Sequence, residues 1–392
     1  MNSQIGLFIT HVDYRRKDPV FWIDFTTNLI KYKQKRRRVP RYYSELEKLH
    51  DHLCLTLDDV LIPPLPMCPK PRLDKEGQVI GRQWWYTIRL PNEEKKQQTD
   101  HVDDAVEQRI QKWLNRVAEH ERVSWSITSF KASSMHDNLL MRPQFRPSLN
   151  KAALYKSKTK HIVIHTSEED MEPEFGSCSR QLSTFGQHLH HLSVHLDRLV
   201  QHQTGFARCW AGLSNAWVSY GGTERNPNLF ILYKSIAKGC YQVFEIERSE
   251  ALAANDTLGD ELVYQEKNCK SAQNAMQRRL NACSAYISSK RHTESSLRSV
   301  ERLKSSINID RDQASEAIAT LEEARFKEKE NLQKFQRIDE NLRHDVEHNY
   351  KKQTTQDLLK TIKEYAKSQL FLERKKLAIF EEVIHSHLGT ST

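Results

Sequence analysis

The 392-residue sequence predicts an α+β N-terminal domain followed by an all-α, elongated three-helix bundle. From Asn228 to Thr392 the chain contains no proline, and its glycines there are Gly239, Gly259 and Gly389. Sequence so free of breakers, and rich in Glu, Lys, Gln, Ala and Leu, is long helix. Ahead of it, apolar residues step by three and four from Leu182 to Tyr220, as a heptad seam does. The opening residues, in contrast, form short β-branched and aromatic runs separated by a polar turn, the pattern of strands.

Composition narrows the function classes. With 38% apolar and 28% charged residues, the chain has enough apolar material for a core and a large charged surface. The formal charge of +9 is spread over both halves. Such an excess suits an anionic surface as a weak partner and does not demand nucleic acid. Seven scattered cysteines include no CxxC pair, and they read as reduced thiols. Charges at Asp13, Arg15, Arg16 and Lys17 interrupt the N-terminus, and no run of about twenty apolar residues occurs. Neither a signal peptide nor a transmembrane span is expected, so membrane contact would be peripheral. No nucleophile frame, metal cluster or phosphate loop is apparent. The chain is therefore expected not to be an enzyme and to need no cofactor or metal.

In chain order, Ile5–Val12 and Phe21–Thr27 read as strands. A basic tract follows, with Lys31, Lys33, Lys35, Arg36, Arg37, Arg38 and Arg41 and no acid among them. A solvated hairpin, an anionic-lipid patch and a nuclear-localisation-like tract all fit that composition. Leu46, Leu49 and Leu53 then mark one face of a helix. The segment from Leu61 to Pro71, with Pro63, Pro64, Pro66, Pro69 and Pro71, is an extended loop. After a polar insert around Trp84-Trp85-Tyr86, helical spacing returns, with Val106, Ile110, Trp113, Leu114 and Val117 facing inward.

These residues resemble a PX (phox-homology) domain. Its landmark is an Arg-Arg-Tyr-Ser-Asp-Phe strand, a leucine-spaced helix and a Pro-Pro-x-Pro loop. Here the counterparts are Arg41-Tyr42-Tyr43-Ser44-Glu45-Leu46 and Pro63-Pro64-Leu65-Pro66, and Trp113-Leu114-Asn115-Arg116-Val117-Ala118 resembles the closing Phe-Leu-Asn-Lys-Val-Ala. The resemblance implies a phosphoinositide site, with Arg41, Tyr43 and Lys70 as the surviving candidates. Two phosphate-binding positions are altered. The second arginine of the pair is Tyr42, and the position of the ring-clasping arginine is Val106, with Arg109 three residues along on another helical face. A neutral side chain cannot copy a bidentate guanidinium. Losing two such contacts costs on the order of 3–6 kcal/mol, so tight stereospecific headgroup binding is not expected.

The predicted organisation is an N-terminal domain over 1–130, a linker over 131–177 and a helical domain over 178–392, with helices at about 178–220, 228–305 and 311–388. The acidic run Glu168, Glu169, Asp170, Glu172 and Glu174 reads as solvated linker. The first rod helix offers a seam of Leu182, Phe185, Leu189, Leu192, Leu196, Leu199, Phe206, Trp210, Leu213 and Trp217, with Gln203 as its polar intrusion. On the same helix only His191 and His195 have metal-pair spacing, without an HExxH frame, so metal ligation is not expected. Gly221-Gly222 ends this helix, and Pro227 suits the start of the next. The run from Asn255 to Asp260 predicts a kink midway along the second.

One shorter helix and two long ones after a PX domain resemble a BAR domain, so the whole chain is similar to the PX-BAR sorting nexins. The tryptophan-bearing closing helix and the lost arginine most resemble the fungal vacuolar-protein-sorting-seventeen type of retromer subunit. The resemblance implies a heterodimer with a second PX-BAR sorting nexin. It also implies a retromer core, an anionic or phosphoinositide-containing endosomal membrane and endosome-to-Golgi transport, with no nucleic acid partner. Membrane-facing basic candidates are Lys290, Arg291, Arg298, Arg302 and Lys304 near one tip, with Lys351 and Lys352 on the third helix. Recycling, selective autophagy and a non-bending coiled-coil scaffold remain alternatives.

Overall fold

The computed structural model describes residues 5–13, 18–27, 35–68, 72–73, 79–80, 105–120, 122–123, 173–305 and 311–388. Lys31, Lys33, Lys70, Trp84, Trp85, Tyr86 and the acids Glu168 to Glu172 lie outside the described residues.

The N-terminal domain is an antiparallel meander of β1 (Ile5–Asp13), β2 (Val20–Thr27) and β3 (Arg36–Tyr42). Ile9 pairs with Ile23 and Ile23 with Val39, and a bulge lies between Ile9 and His11. Helix α1 (Tyr43–Thr56) starts where Asp18 accepts from the Ser44 amide at 3.3 Å and its hydroxyl at 2.7 Å. The Glu45 carboxylate reaches back to the Tyr42 N–H at 3.0 Å, so two donors of the first turn gain acceptors. A short pair, β4 (Arg72–Leu73) and β5 (Val79–Ile80), follows. Helix α2 (Ala105–Glu119) closes the domain. Its Val106, Ile110, Trp113, Leu114 and Val117 are buried with Phe21, Ile23, Leu46 and Leu53 in one core.

The rod is built from α3 (Pro173–Gly221), α4 (Pro227–Ala254), α5 (Asp260–Lys304), α6 (Arg311–His344) and α7 (Lys351–Leu388). Helix α3 begins at Pro173, upstream of Cys178, where proline suits a first turn. Pro227 likewise opens α4, with the Asn226 side chain accepting from the Asn228 N–H at 3.0 Å. At Asn255–Gly259 the backbone widens into a π-helical turn and continues into α5. A Cβ on Gly259 would meet Asn255 Oδ1 at 3.0 Å and Leu196 Cδ2 at 3.5 Å, so glycine there permits close approach of α3. A second π-helical turn, Asp345–Tyr350, joins α6 to α7. At 1.5 Å per residue, each long helical arm extends about 115 Å. Near the N-terminal domain, α3 packs Leu182, Leu189 and Leu196 against Leu262, Met276, Ile338 and Leu342. Farther along, Val243 and Ile246 of α4 meet Leu372 and Ile379 of α7.

Candidate functional site

Arg41 and Tyr43, two of the expected headgroup-binding residues, lie at the β3–α1 junction. Arg41 is 7% exposed, and its Nη1 donates to the Pro40 carbonyl at 2.6 Å. Its Nη2 is buried without a hydrogen-bond partner. Burial pulls this guanidinium down to about 10, partly opposed by the Glu45 carboxylate, while Arg37 adds to the drop. Tyr43 donates its hydroxyl to the Pro66 carbonyl at 2.8 Å, and burial pushes its phenol upward. The two altered positions have different environments. Tyr42 is exposed, whereas Val106 is buried at 2% in the domain core. Of the basic tract, Arg38 is engaged by Asp24 across the sheet at 2.6 Å.

Arg109, the cation closest in sequence to the altered position, points at the rod. It donates to the Thr257 carbonyl at 3.3 Å, within the first π-helical turn, and lies 3.2 Å from Asp260. Lys112, Arg116 and His120 follow at spacings of three and four on the same helical face. Lys112 and Arg116 share Asp357, with Arg116 at 2.6 Å. His120 meets Asp345 at 3.0 Å. Asp357 and Asp345 are both buried, and buried carboxylates require such partners. Sequence reading missed this arrangement. Its local trace is a cationic stripe flanking the apolar face of α2, because the partners lie far downstream, as for Arg109 and Thr257 with a separation of 148 and Arg116 and Asp357 with a separation of 241.

The heptad seam separates into two columns. Leu182, Leu189 and Leu196 are buried within the chain. Their sisters are open, with Leu192 55%, Leu199 43%, Phe206 53% and Leu213 44% exposed. Phe185, Trp210 and Trp217 are half-buried. Trp210 packs against Phe380 with ring centroids 6.0 Å apart, and Trp217 stacks on Tyr233 at 5.6 Å. Exposed Leu359, Leu370, Leu377 and Phe380 on α7 provide further uncovered apolar surface.

The basic candidates are all exposed, but they do not form one group. Helical spacing places Arg291, Arg298 and Arg302 on one face of α5, with Lys290 and Lys304 turned roughly 100° or more away. Lys351 and Lys352 open α7 near the other end of α5, where Asn268 meets Thr354. Among the described residues, no group of three His, Cys, Asp or Glu side chains could hold a metal ion. His190 instead lies 3.3 Å from Glu266. No described helix is long and apolar enough to cross a membrane.

Comparison with known proteins places this geometry among relatives. Residues 30–130 match the PX domain, and residues 151–386 match the family described as Vps5 C terminal like. Over 379 residues the chain is 23% identical to vacuolar protein sorting-associated protein 17 of Schizosaccharomyces pombe. That alignment takes in 94% of this chain and 62% of that protein, so the chain spans less than two thirds of its relative. In fold it is similar to the cryo-EM structure of the SNX-BAR Mvp1 tetramer, with a TM-score of 0.55 at 13% identity, covering 97% of this chain and 100% of that one.

Proposed function

Because the chain belongs to the PX-BAR sorting nexins, with a Vps5-type C-terminal domain, we propose that it is a non-enzymatic subunit of an endosomal retromer-type coat. It dimerises through its rod, lies peripherally on anionic or phosphoinositide-containing membrane, and senses or forms tubules for endosome-to-Golgi transport. The observation that carries this reading is the split seam. One leucine column is consumed by the chain's own core, while Leu192, Leu199, Phe206 and Leu213 remain uncovered. An apolar stripe continued on α7 is what a second rod would cover.

The N-terminal domain extends from about residue 1 to 130 and the rod from Pro173 onward, with a linker between. The altered Tyr42 and Val106 favour a heterodimer, in which a partner with an intact pocket supplies phosphoinositide selectivity through avidity. Exposed arginines on α5 and lysines on α7 add nonspecific attraction, about 1 kcal/mol each near an anionic surface and screened by salt. The experiment is sedimentation and vesicle flotation of the chain, alone and with a co-expressed PX-BAR partner, followed by electron microscopy of the vesicles. Association of the two chains and tubules formed only by the pair are expected. Strong, selective phosphatidylinositol 3-phosphate binding by the chain alone removes the reason for the partner, and absence of tubules with any partner favours a non-bending scaffold.

A further inference from the structure

The proline-rich loop begins in a segment that two cores share. Val60 and Ile62 are buried in the core of the N-terminal domain. Leu61 turns the other way and joins the rod core with Leu182, Leu342 and Val346. Extended chain alternates its side chains between two sides, so three consecutive residues connect the two bodies.

Polar contacts hold the same segment from the rod side. Arg278 of α5 donates from Nε to the Asp58 carbonyl at 3.0 Å and from Nη2 to the Val60 carbonyl at 2.8 Å. The Leu61 N–H donates to the buried Asp345 carboxylate at 3.0 Å. Arg337 donates to Asp58 at 2.9 Å, and Asn341 to Asp59 at 2.9 Å. Farther along, the loop frames the pocket, because Trp113 donates to the Pro63 carbonyl at 3.0 Å and Tyr43 to the Pro66 carbonyl at 2.8 Å. Met67, just past these anchors, is 56% exposed.

We infer that residues 58–62 are a stitch through which the rod positions the pocket loop, making Arg278 and Leu61 positioning residues for whatever the N-terminal domain binds. Part of the loop's anchoring, from Arg278, Arg337, Asn341 and Asp345, comes from residues that an isolated N-terminal domain would not contain. A pocket supported in this way is more fully pre-organised in the full chain, and ordering that is already complete need not be supplied on binding. The vesicle part of the inference rests on the membrane reading above; the stitch itself does not.

The test uses the full chain with Arg278→Ala, Leu61→Ala and, as a control, Lys267→Ala at an exposed position of α5. Amide hydrogen exchange without vesicles is followed over residues 57–68. Loss of two charge-assisted hydrogen bonds predicts exchange at least about tenfold faster in Arg278→Ala, with Lys267→Ala and the central rod unchanged. Unchanged exchange in both Arg278→Ala and Leu61→Ala overturns the stitch. A second measurement introduces the same substitutions into a Tyr42→Arg background, which restores a phosphate-binding guanidinium to the pocket, and compares binding to vesicles containing phosphatidylinositol 3-phosphate with binding to phosphatidylserine vesicles. The expected result is a selectivity ratio reduced several-fold while rod association is unchanged, which general unfolding would not produce. If the loop loosens and the selectivity ratio stays the same, the positioning role is overturned. If the unsubstituted chain ignores both vesicles while exchange still accelerates, the membrane reading falls and the stitch is supported.

Discussion

The two leucine columns of α3 should separate folding from association. Leu189 is 2% exposed in the rod core, whereas Leu192 and Leu199 are 55% and 43% exposed on the same helix. Truncating Leu189 to alanine removes buried methyl groups and leaves a cavity, costing about 2–5 kcal/mol of folding stability. For Leu192 and Leu199, roughly half of each side chain remains available for a partner. At about 1.5–3 kcal/mol for full burial, each contributes about 1 kcal/mol to association. Leu192→Ala with Leu199→Ala should therefore weaken the complex about thirtyfold and leave the melting temperature of the isolated chain nearly unchanged. Sedimentation equilibrium against a fixed partner concentration gives the first quantity, and thermal unfolding of the chain alone gives the second. A double variant that melts as early as Leu189→Ala, with an undiminished association constant, would refute the division of the seam.

Four further outcomes are expected. Glu250 is pushed up to about 7 by burial, against the pull of Lys376, which also bonds Glu247 and Glu373. A folded pKa above the unfolded 4.5 means stability that is full below that value and lost as pH rises through about 7; Glu250→Gln should flatten the fall in melting temperature between about pH 4.5 and about pH 7, the interval between the two values. Tyr42→Arg, at an exposed position, should be tolerated and should raise phosphatidylinositol 3-phosphate vesicle binding about tenfold or more. Val106→Arg instead places an unpaired guanidinium in the domain core and should unfold that domain, which circular dichroism and proteolysis would detect. Gly239→Ala should destabilise the rod despite a better helix former, because its Cβ would lie 2.9 Å from Val383 Cγ2; overpacking of about 1–3 kcal/mol outweighs a propensity gain of about 0.5–1, and thermal unfolding measures the sign.

Periodicity made the rod legible. The steps of three and four between Leu182 and Tyr220 and the absence of proline after Pro227 are local properties of a helix, so reading them needs no knowledge of neighbours. The site was legible only in outline. Tyr42 and Val106 could be marked as altered, but their unlike environments depend on how β3 and α2 meet the core, with Tyr42 38% exposed and Val106 2%. The second π-helical turn at Asp345–Tyr350 had no breaker to announce it.

By itself, the sequence determined that an N-terminal domain of strands and helices precedes a long, seam-bearing helical rod. Only the tertiary structure decided which leucine column the chain keeps for itself and where the cations of α2 are used. It also decided that Leu61 belongs to the rod while Val60 and Ile62 belong to the N-terminal domain. The physical reason is range. Helical spacing and breaker chemistry act over a few residues, whereas the bond from the Leu61 amide to Asp345 joins groups 284 positions apart, and nothing in the chemistry of either residue specifies the other until the chain has folded.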